Sequence, residues 1–423
     1  MTQAVEAVRQ QARDVFASIG LPGKRNEDWK YSDLSRLQTA LGENWQQTTE
    51  VSGVDAETVK QAAIPGLDAY RAVFVNGHFQ PDNSVMPEGV SLLSLKTLVE
   101  EQPGVASDLL LPHPDAPLYN GLNALNSATA ADGLALCIAD QIQLDKPLYV
   151  LHLGKADAAG KTAAMRHGLM LGKFAEATLI EHFVGLDEEP GLTSVVNYSH
   201  LKEGSSLKHY RIQQENLKQF HVGRVDVRQA EDSSYRLHSV EIGCALSRAD
   251  IVVSLEGAGA SCELNGLFVS GGRQHVDHHT RVDHVAPHCS SRENYRSVLD
   301  GRARAVFNGK IVVHKGAIKT DSAQSNANLL LSKNAEIDTK PELEIYNDDV
   351  KCAHGATVGQ LDENQLFYLK SRGLSEDEAR QVLTFAFADE VLTGIDSKAV
   401  RRFIEFAAFA KLPNLTDLEG LLG

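Results

Sequence analysis

The chain is predicted to be mainly β, a parallel β-helix with helical regions at both ends. Three observations carry this reading. Between about residues 132 and 358 helical periodicity disappears, and short β-branched runs alternate with Gly, Ser, Asp and Asn. Small-residue pairs recur in that span at Ala177-Thr178, Ser205-Ser206, Ser233-Ser234, Ala260-Ser261 and Ser290-Ser291. A period of roughly 20–50 residues belongs to solenoids or propellers. No Trp-Asp propeller motif is present, so stacked rungs that bury their apolar faces on one another fit better. Three regions follow: an N-terminal helical or mixed region over 1–131, the β-helix core over 132–358, and a C-terminal helical domain over 359–423.

Composition narrows the function class. With 423 residues, 43% of them hydrophobic, the chain is long enough for a large core. A net charge of −15, from 41 basic and 56 acidic residues, argues against broad binding to nucleic acid or to an anionic membrane. There is no run of about 18 apolar residues and no signal-peptide pattern at the start, so the expectation is a cytoplasmic protein. Five scattered cysteines (Cys137, Cys244, Cys262, Cys289 and Cys352) without a C-x-x-C pair speak against a disulfide framework and for a reducing compartment.

In chain order, Val5, Val8, Ala12, Val15, Phe16 and Ile19 recur at helical spacing over residues 3–19, and Gly20 can end that helix. The dense segment from Leu21-Pro22 to Tyr31-Ser32 reads as a cap that packs Trp29 and Tyr31 on the core. Ala72 to Phe79 reads as a hairpin turning at Asn76-Gly77. Residues 101–118, with Pro103, Pro112, Pro114 and Pro117, read as a loop-rich boundary. Beyond Gly359, Asp362, Ser375 and Ser397 stand where helix caps stand, and Gly373 can end the first of three helices. Phe385, Phe387, Val400, Phe403, Ile404, Phe406 and Phe409 give these helices an apolar face too wide for so small a unit, which needs the β domain or another chain to cover it.

Three stretches look chemical. Gly154 to Thr162 imitates a phosphate-binding loop, but five residues separate its glycines where the motif has four. No helix opens after Thr162, so a polar hairpin turn is the better reading. The stretch His275-Val276-Asp277-His278-His279 through Asp283-His284, with His288 and Cys289 after it, is dense in metal-binding side chains. On a strand His275, Asp277 and His279 would share one face and His278 the other. A polar ladder is the preferred reading, with a metal site as the alternative. The third stretch is Cys352-Ala353-His354-Gly355. In an extended segment Cys352 and His354 face the same side, a thiol and an imidazole suited to zinc, copper or iron–sulfur chemistry. Gly355 and Gly359 suggest that the extended run ends near there. Two ligands are an incomplete set, since such sites take about four. Taken alone, a structural Cys beside a hydrogen-bonded His is the commoner outcome; for a metal site, either the rest of the chain supplies more ligands or a second chain does, the latter fitting a site at a subunit interface.

Several motifs in order resemble the SufB/SufD family of iron–sulfur cluster assembly proteins. They are Leu21-Pro22 with Glu27-Asp28-Trp29-Lys30-Tyr31-Ser32, Phe74-Val75-Asn76-Gly77, Ala124-Leu125-Asn126, Gln274 to Thr280, Phe307-Asn308-Gly309-Lys310-Ile311, Gln324 to Ser332, Cys352 to Gly359, and Gln365-Leu366-Phe367-Tyr368. Where this chain has Cys352 and His354, SufB-like chains carry a glutamate-rich segment, which points to the SufD branch. The resemblance implies a right-handed parallel β-helix in a non-enzymatic scaffold. A SufB-like subunit would pair through the β-helix edge and a SufC-like ATPase through the C-terminal helices, with a homodimer when the chain is alone. It further implies a transient iron–sulfur cluster or iron held at the subunit interface by Cys352 and His354, nothing tightly bound to the isolated chain, and reduced FAD only in the assembled complex. The rival reading is a β-helix enzyme, a polysaccharide lyase or metal hydrolase, built on the His275–His288 stretch.

Overall fold

The computed structural model describes residues 3–42, 48, 53–85, 87, 90–94, 97–98, 116–130, 132–158 and 160–411. Its centre is a parallel β-solenoid of about eight turns. One wall is a ten-stranded sheet in the order β2 (His78–Phe79), β1 (Tyr70–Val75), β5 (Leu148–Gly154), β7 (Glu176–Gly185), β9 (Ser206–Gln214), β11 (Ser234–Glu241), β13 (Ser261–Ser270), β15 (Ser290–Leu299), β17 (Asp321–Leu330) and β19 (Lys351–Gly359). The other is a nine-stranded sheet in the order β3 (Val90–Ser94), β4 (Leu134–Ile138), β6 (Thr162–Leu171), β8 (Leu192–Leu201), β10 (Phe220–Gln229), β12 (Leu246–Leu255), β14 (His275–His284), β16 (Arg304–Val313) and β18 (Glu336–Ile345). From β5 onward, consecutive strands alternate between the walls, so each turn contributes one strand to each. At the first end β2 on β1 and β3 on β4 are antiparallel; the remaining pairs are parallel.

The small-residue repeat marks the corners, with its frame adjusted by the register. Glu176, Ser206, Ser234, Ser261 and Ser290 align across the ten-stranded sheet. The residues just before them, Ala175, Ser205, Ser233, Ala260 and Cys289, are all buried. A corner that stacks directly on its neighbour has no room for a larger side chain. Ala177-Thr178 lies inside its strand, and Ser290-Ser291 starts one residue late.

The stretch Lys155–Lys161 is such a corner and not a hairpin, because β5 and β6 lie in opposite walls and do not pair. A short 3-10 turn, Ala156–Ala158, and Gly160 at φ +67 make the bend. Thr162 opens a strand, so the positive helix end that a phosphate loop needs is missing. The hairpin at Asn76-Gly77 forms as expected, with φ of +49 and +84 at its two central residues. Most of the expected boundary at 101–118 lies outside the described residues.

Helices cover the outer faces. α1 (Gln3–Ile19), α2 (Ser35–Leu41) and α4 (Gly121–Thr129) lie at one side, and α3 (Ala56–Ala62) sits near β1. Asn120 and Asn123 form a capping box at the start of α4. Inside α4, Asn126 accepts from Arg166 at 2.8 Å and donates to the Ser194 carbonyl at 2.9 Å, tying the helix to the solenoid. Trp29, Leu34, Leu37, Leu122 and Leu125 pack with Leu192, Phe220, Val222 and Leu246 on the outside of the nine-stranded sheet. Tyr31 departs from the expected packing: it is 38% exposed, with the Lys30 ammonium 5.4 Å from its ring centre.

After the solenoid come α5 (Glu363–Ser371), α6 (Glu376–Asp389) and α7 (Lys398–Phe409). Asp362 caps α5, Ser375 and Glu378 form a full capping box on α6, and Ser397 caps α7. The wide apolar face is covered within the chain. Val391, Leu392, Ile395, Val400, Ile404 and Ala408 cluster with Tyr210, Val240, Leu267 and Val298 from the outside of the ten-stranded sheet. Phe367 and Tyr368 on α5 stay out, 74% and 55% exposed.

The solenoid interior is half apolar, half polar. One lane carries Leu179, Leu207, Leu237, Leu264, Ile251 and Val282. The other carries one buried ion pair, Arg211 with Glu241 at 2.5 Å, and histidines set against carboxylates: His221 with Glu215 at 2.7 Å, His209 with Glu181 at 2.8 Å and His278 with Glu241 at 3.2 Å. Partners of opposite charge or a hydrogen bond are what let such groups stay buried. Burial also lowers the His152 imidazole well below its ordinary range and lowers that of His167.

Candidate functional site

Cys352 and His354 lie on β19, the last strand of the ten-stranded sheet. β18 ends the other sheet. Among the described residues nothing pairs with the outer edges of β18 and β19, so both present unused backbone donors and acceptors at the same end of the solenoid. The strand runs straight through Gly355 to Gly359 and does not break at the first glycine. Beyond Gly359 the backbone leaves for the cap at Asp362.

The two residues share the inward-facing row of their strand. Ser322 pairs with Cys352 and Gln324 with His354, and both partners are buried inside the solenoid. Cys352 is half-buried against a small apolar cluster of Ile311, Val313, Ala317, Leu343 and Val350, whereas His354 is exposed. Burial pushes the Cys352 thiol up, and the Asp321 charge adds to this, against a backbone hydrogen bond at Ser322 that lowers it. The free side chain is therefore a thiol, and a metal must displace its proton to gain a thiolate ligand.

Each residue stands on a polar column that runs down through the rungs. Below Cys352, Ser322 Oγ meets Ser291 Oγ at 2.7 Å, and Ser291 Oγ meets His284 Nε2 at 2.8 Å. Below His354, Gln324 Nε2 donates to Glu293 Oε2 at 2.5 Å, and Thr280 Oγ1 donates to the same oxygen at 3.2 Å. Glu293 is fully buried with no positive partner. Burial pushes its carboxyl up to about 7, although the bonds from Gln324 and Thr280 pull it down. A group that can carry or release a proton near neutrality thus sits two rungs beneath His354.

Gly309 makes room for this column. A Cβ there would come within 2.1 Å of Gln324 Nε2 and 2.9 Å of Phe307 Cζ. That accounts for a glycine inside β16, where a side chain would otherwise strengthen the strand. Glu293 and Gln324 carried no functional assignment from the sequence. Their signal is the register: only with the rungs aligned do Glu293, Gln324 and His354 fall into one line.

The histidine-rich stretch forms β14, and its faces divide as expected. His275, Asp277 and His279 face outward; His278 faces in, 3.2 Å from Glu241. The outward set is engaged by the N-terminal segment. Ser32 Oγ lies 2.7 Å from His275 Nε2 and also donates to Asp277. Arg248 donates to Asp277 at 2.7 Å and to the Asp28 carbonyl at 2.8 Å, its guanidinium 4.4 Å from the Trp29 ring centre. His279 Nε2 sits 3.1 Å from the other Asp277 oxygen. Burial pushes the Asp277 carboxyl up, but Arg248 and the neighbouring histidines hold it well below the usual range. The Glu-x-Trp-Lys-Tyr-Ser stretch and the histidine stretch are thus the two halves of one buried clamp.

No helix among the described residues is long and apolar enough to cross a membrane. Comparison with known proteins agrees with the architecture. Residues 153–387 match the SUF system FeS cluster assembly SufBD core domain, and residues 1–150 match the SufBD protein N-terminal region. The chain is similar to the iron–sulfur cluster assembly protein SufD of Escherichia coli, 33% identical across 96% of this chain and 92% of that protein. It is also similar to an iron–sulfur cluster assembly SufBD family protein of Synechocystis, 31% identical across 92% of this chain and 86% of the other. A SufBD family protein of Mycobacterium tuberculosis is 25% identical across 95% and 93%.

Proposed function

The chain belongs to the SufBD family of iron–sulfur cluster assembly proteins, and from that membership we propose that it works as a SufD-type, non-catalytic scaffold subunit. The observation that carries the reading is the placement of Cys352 and His354 on one face of a strand whose outer edge pairs with nothing among the described residues. A SufB-type subunit would extend the two sheets at β18 and β19, where Ile345, Tyr346 and Val358 are exposed, and would bring the ligands that complete the site. A SufC-type ATPase would dock on the C-terminal helices, with Phe367 and Tyr368 as its aromatic anchors.

In this reading the cluster is cargo. His354 offers an imidazole nitrogen at the surface, and Cys352 gives up its thiol proton as iron arrives. The Gln324–Glu293 column beneath supplies a place for a proton to go. Domain movement driven by the ATPase would reach β19 through α5, which follows it directly in the chain. The flavin that accompanies the family resemblance is assigned to the assembled complex and to no residue here.

The test is reconstitution with SufB-type and SufC-type partners under reducing, anaerobic conditions. His354→Ala should lower iron and sulfide incorporation several-fold while the complex still co-purifies. Undiminished incorporation would remove His354 from the site.

A further inference from the structure

We propose that the solenoid also holds a divalent transition-metal ion near its first end, between His152, His167 and Glu181. This site lies many rungs from Cys352 and does not depend on the scaffold reading.

The three side chains come from consecutive strands, β5, β6 and β7, and face the interior. β5 and β7 are neighbours in one wall and β6 belongs to the other, so the ligands converge across the lumen. A ligand atom from each lies within 4.8 Å of those of the other two. Yet these groups do not hydrogen-bond to one another. His152 Nδ1 and Nε2, His167 Nε2 and Glu181 Oε1 are all buried without a partner. Buried polar atoms are almost always paired, because each one left alone keeps its full desolvation penalty. Four at one spot call for a missing ligand. Two imidazoles and a carboxylate are the donor set of open zinc and ferrous sites. Ligand atoms on a tetrahedral ion stand about 3.3 Å apart, so a contraction of at most about 1.5 Å would close the shell.

The surroundings are those of a metal site. Glu181 is held from behind: His209 Nε2 lies 2.8 Å from its other oxygen, and Tyr235 lies 3.0 Å from His209 Nδ1. His152 stacks on Phe183 at 4.4 Å, which fixes its ring. Leu134 N–H donates to His167 Nδ1 at 3.2 Å, so the neutral ring carries its proton on Nε2. Ligation at Nε2 moves that proton to Nδ1 and breaks this one long bond, leaving the Leu134 N–H without that acceptor. A narrow cleft reaches His152 from the surface past Lys155, Asp187 and Glu189, and its two carboxylates can gather cations at the mouth.

The competing occupant is a single buried water, which the same polar partners could hold. Metal-free full-length protein should be titrated with Co2+ under anaerobic conditions. Stoichiometric ligand-field absorption is expected, displaced by Zn2+ and accompanied by a higher melting temperature. It should persist in the Cys352→Ser/His354→Ala double variant and vanish in Glu181→Gln. His152→Phe, which keeps the stack on Phe183, is the second variant should Glu181→Gln fail to fold. Crystals of the Co2+-loaded wild type should show an anomalous peak between the three side chains. The proposal is overturned by a folded wild type that takes up no stoichiometric Co2+, by uptake that disappears with Cys352 and His354, or by a water with no anomalous signal at the spot.

Discussion

Gln324 is the parallel-register partner of His354, and its amide donates downward to the buried Glu293 carboxylate. The exposed imidazole at the solenoid end thus stands in the same row as a buried carboxyl that burial pushes up to about 7.

That carboxyl sets a pH dependence of stability. Its folded value, about 7, lies above its ordinary value of 4.5, so the folded chain holds the proton more tightly than the unfolded chain. Stability is intact below the unfolded value and falls as pH rises through the folded one, by about 3 kcal/mol in all. Glu293→Gln should therefore be more stable than wild type at about pH 8 and close to it at about pH 5. Urea unfolding at the two pH values measures this, and a variant that loses stability at the higher pH would refute it.

Gly309→Ala should destabilise the fold by about 1–3 kcal/mol, because the new methyl lands on the Gln324 amide and on Phe307. Shortening Gln324 to Ala in the same chain should recover part of the loss. Additive losses in the double variant, read from denaturant midpoints, would show that the two residues do not collide.

Arg248→Ala leaves Asp277 and Asp250 buried without their shared cation, whose guanidinium donates to Asp250 at 2.8 Å. A loss of about 3–5 kcal/mol is expected. Its local signature should be faster amide exchange in the segment around Trp29 and Ser32, which Arg248 and Asp277 hold in place. Uniform exchange with no focus there would contradict the clamp.

Phe367→Ala and Tyr368→Ala remove side chains that already face solvent, so the melting temperature should move little. Co-purification with a SufC-type ATPase should weaken at least tenfold if these rings are anchors. Full retention of binding in the double variant would move the docking surface elsewhere.

The fold was readable where its causes are local. The Ser375–Glu378 capping box and the Asn76-Gly77 turn are set by a few neighbouring residues, and both form. The solenoid was readable because successive middle rungs turn a corner on a small buried residue, and Ser205, Ser233 and Ala260 announce this at near-regular spacing. Cys352 and His354 could be paired from strand geometry alone. What stayed hidden depends on register. A frame misplaced by one residue at Ser290 and by two at Ala177 removes Glu293 from beneath His354. The Ser32–Asp277 contact joins residues 245 apart in the chain, and no local pattern marks it. Tyr31 was expected to pack beside Trp29, but Arg248 takes the Trp29 face and leaves Tyr31 outside.

The two ends of the solenoid differ in kind. Short antiparallel strands, β2 and β3, end the two sheets on one side, while the long parallel strands β18 and β19 end them on the other. Two copies meeting through β18 and β19 would use up that end of each and stop at a pair related by a twofold axis. If the proposed SufB-type subunit uses that same end, self-pairing and pairing with it would exclude one another, and a surplus copy of this chain would sit in a sterile pair until such a mate displaces its twin.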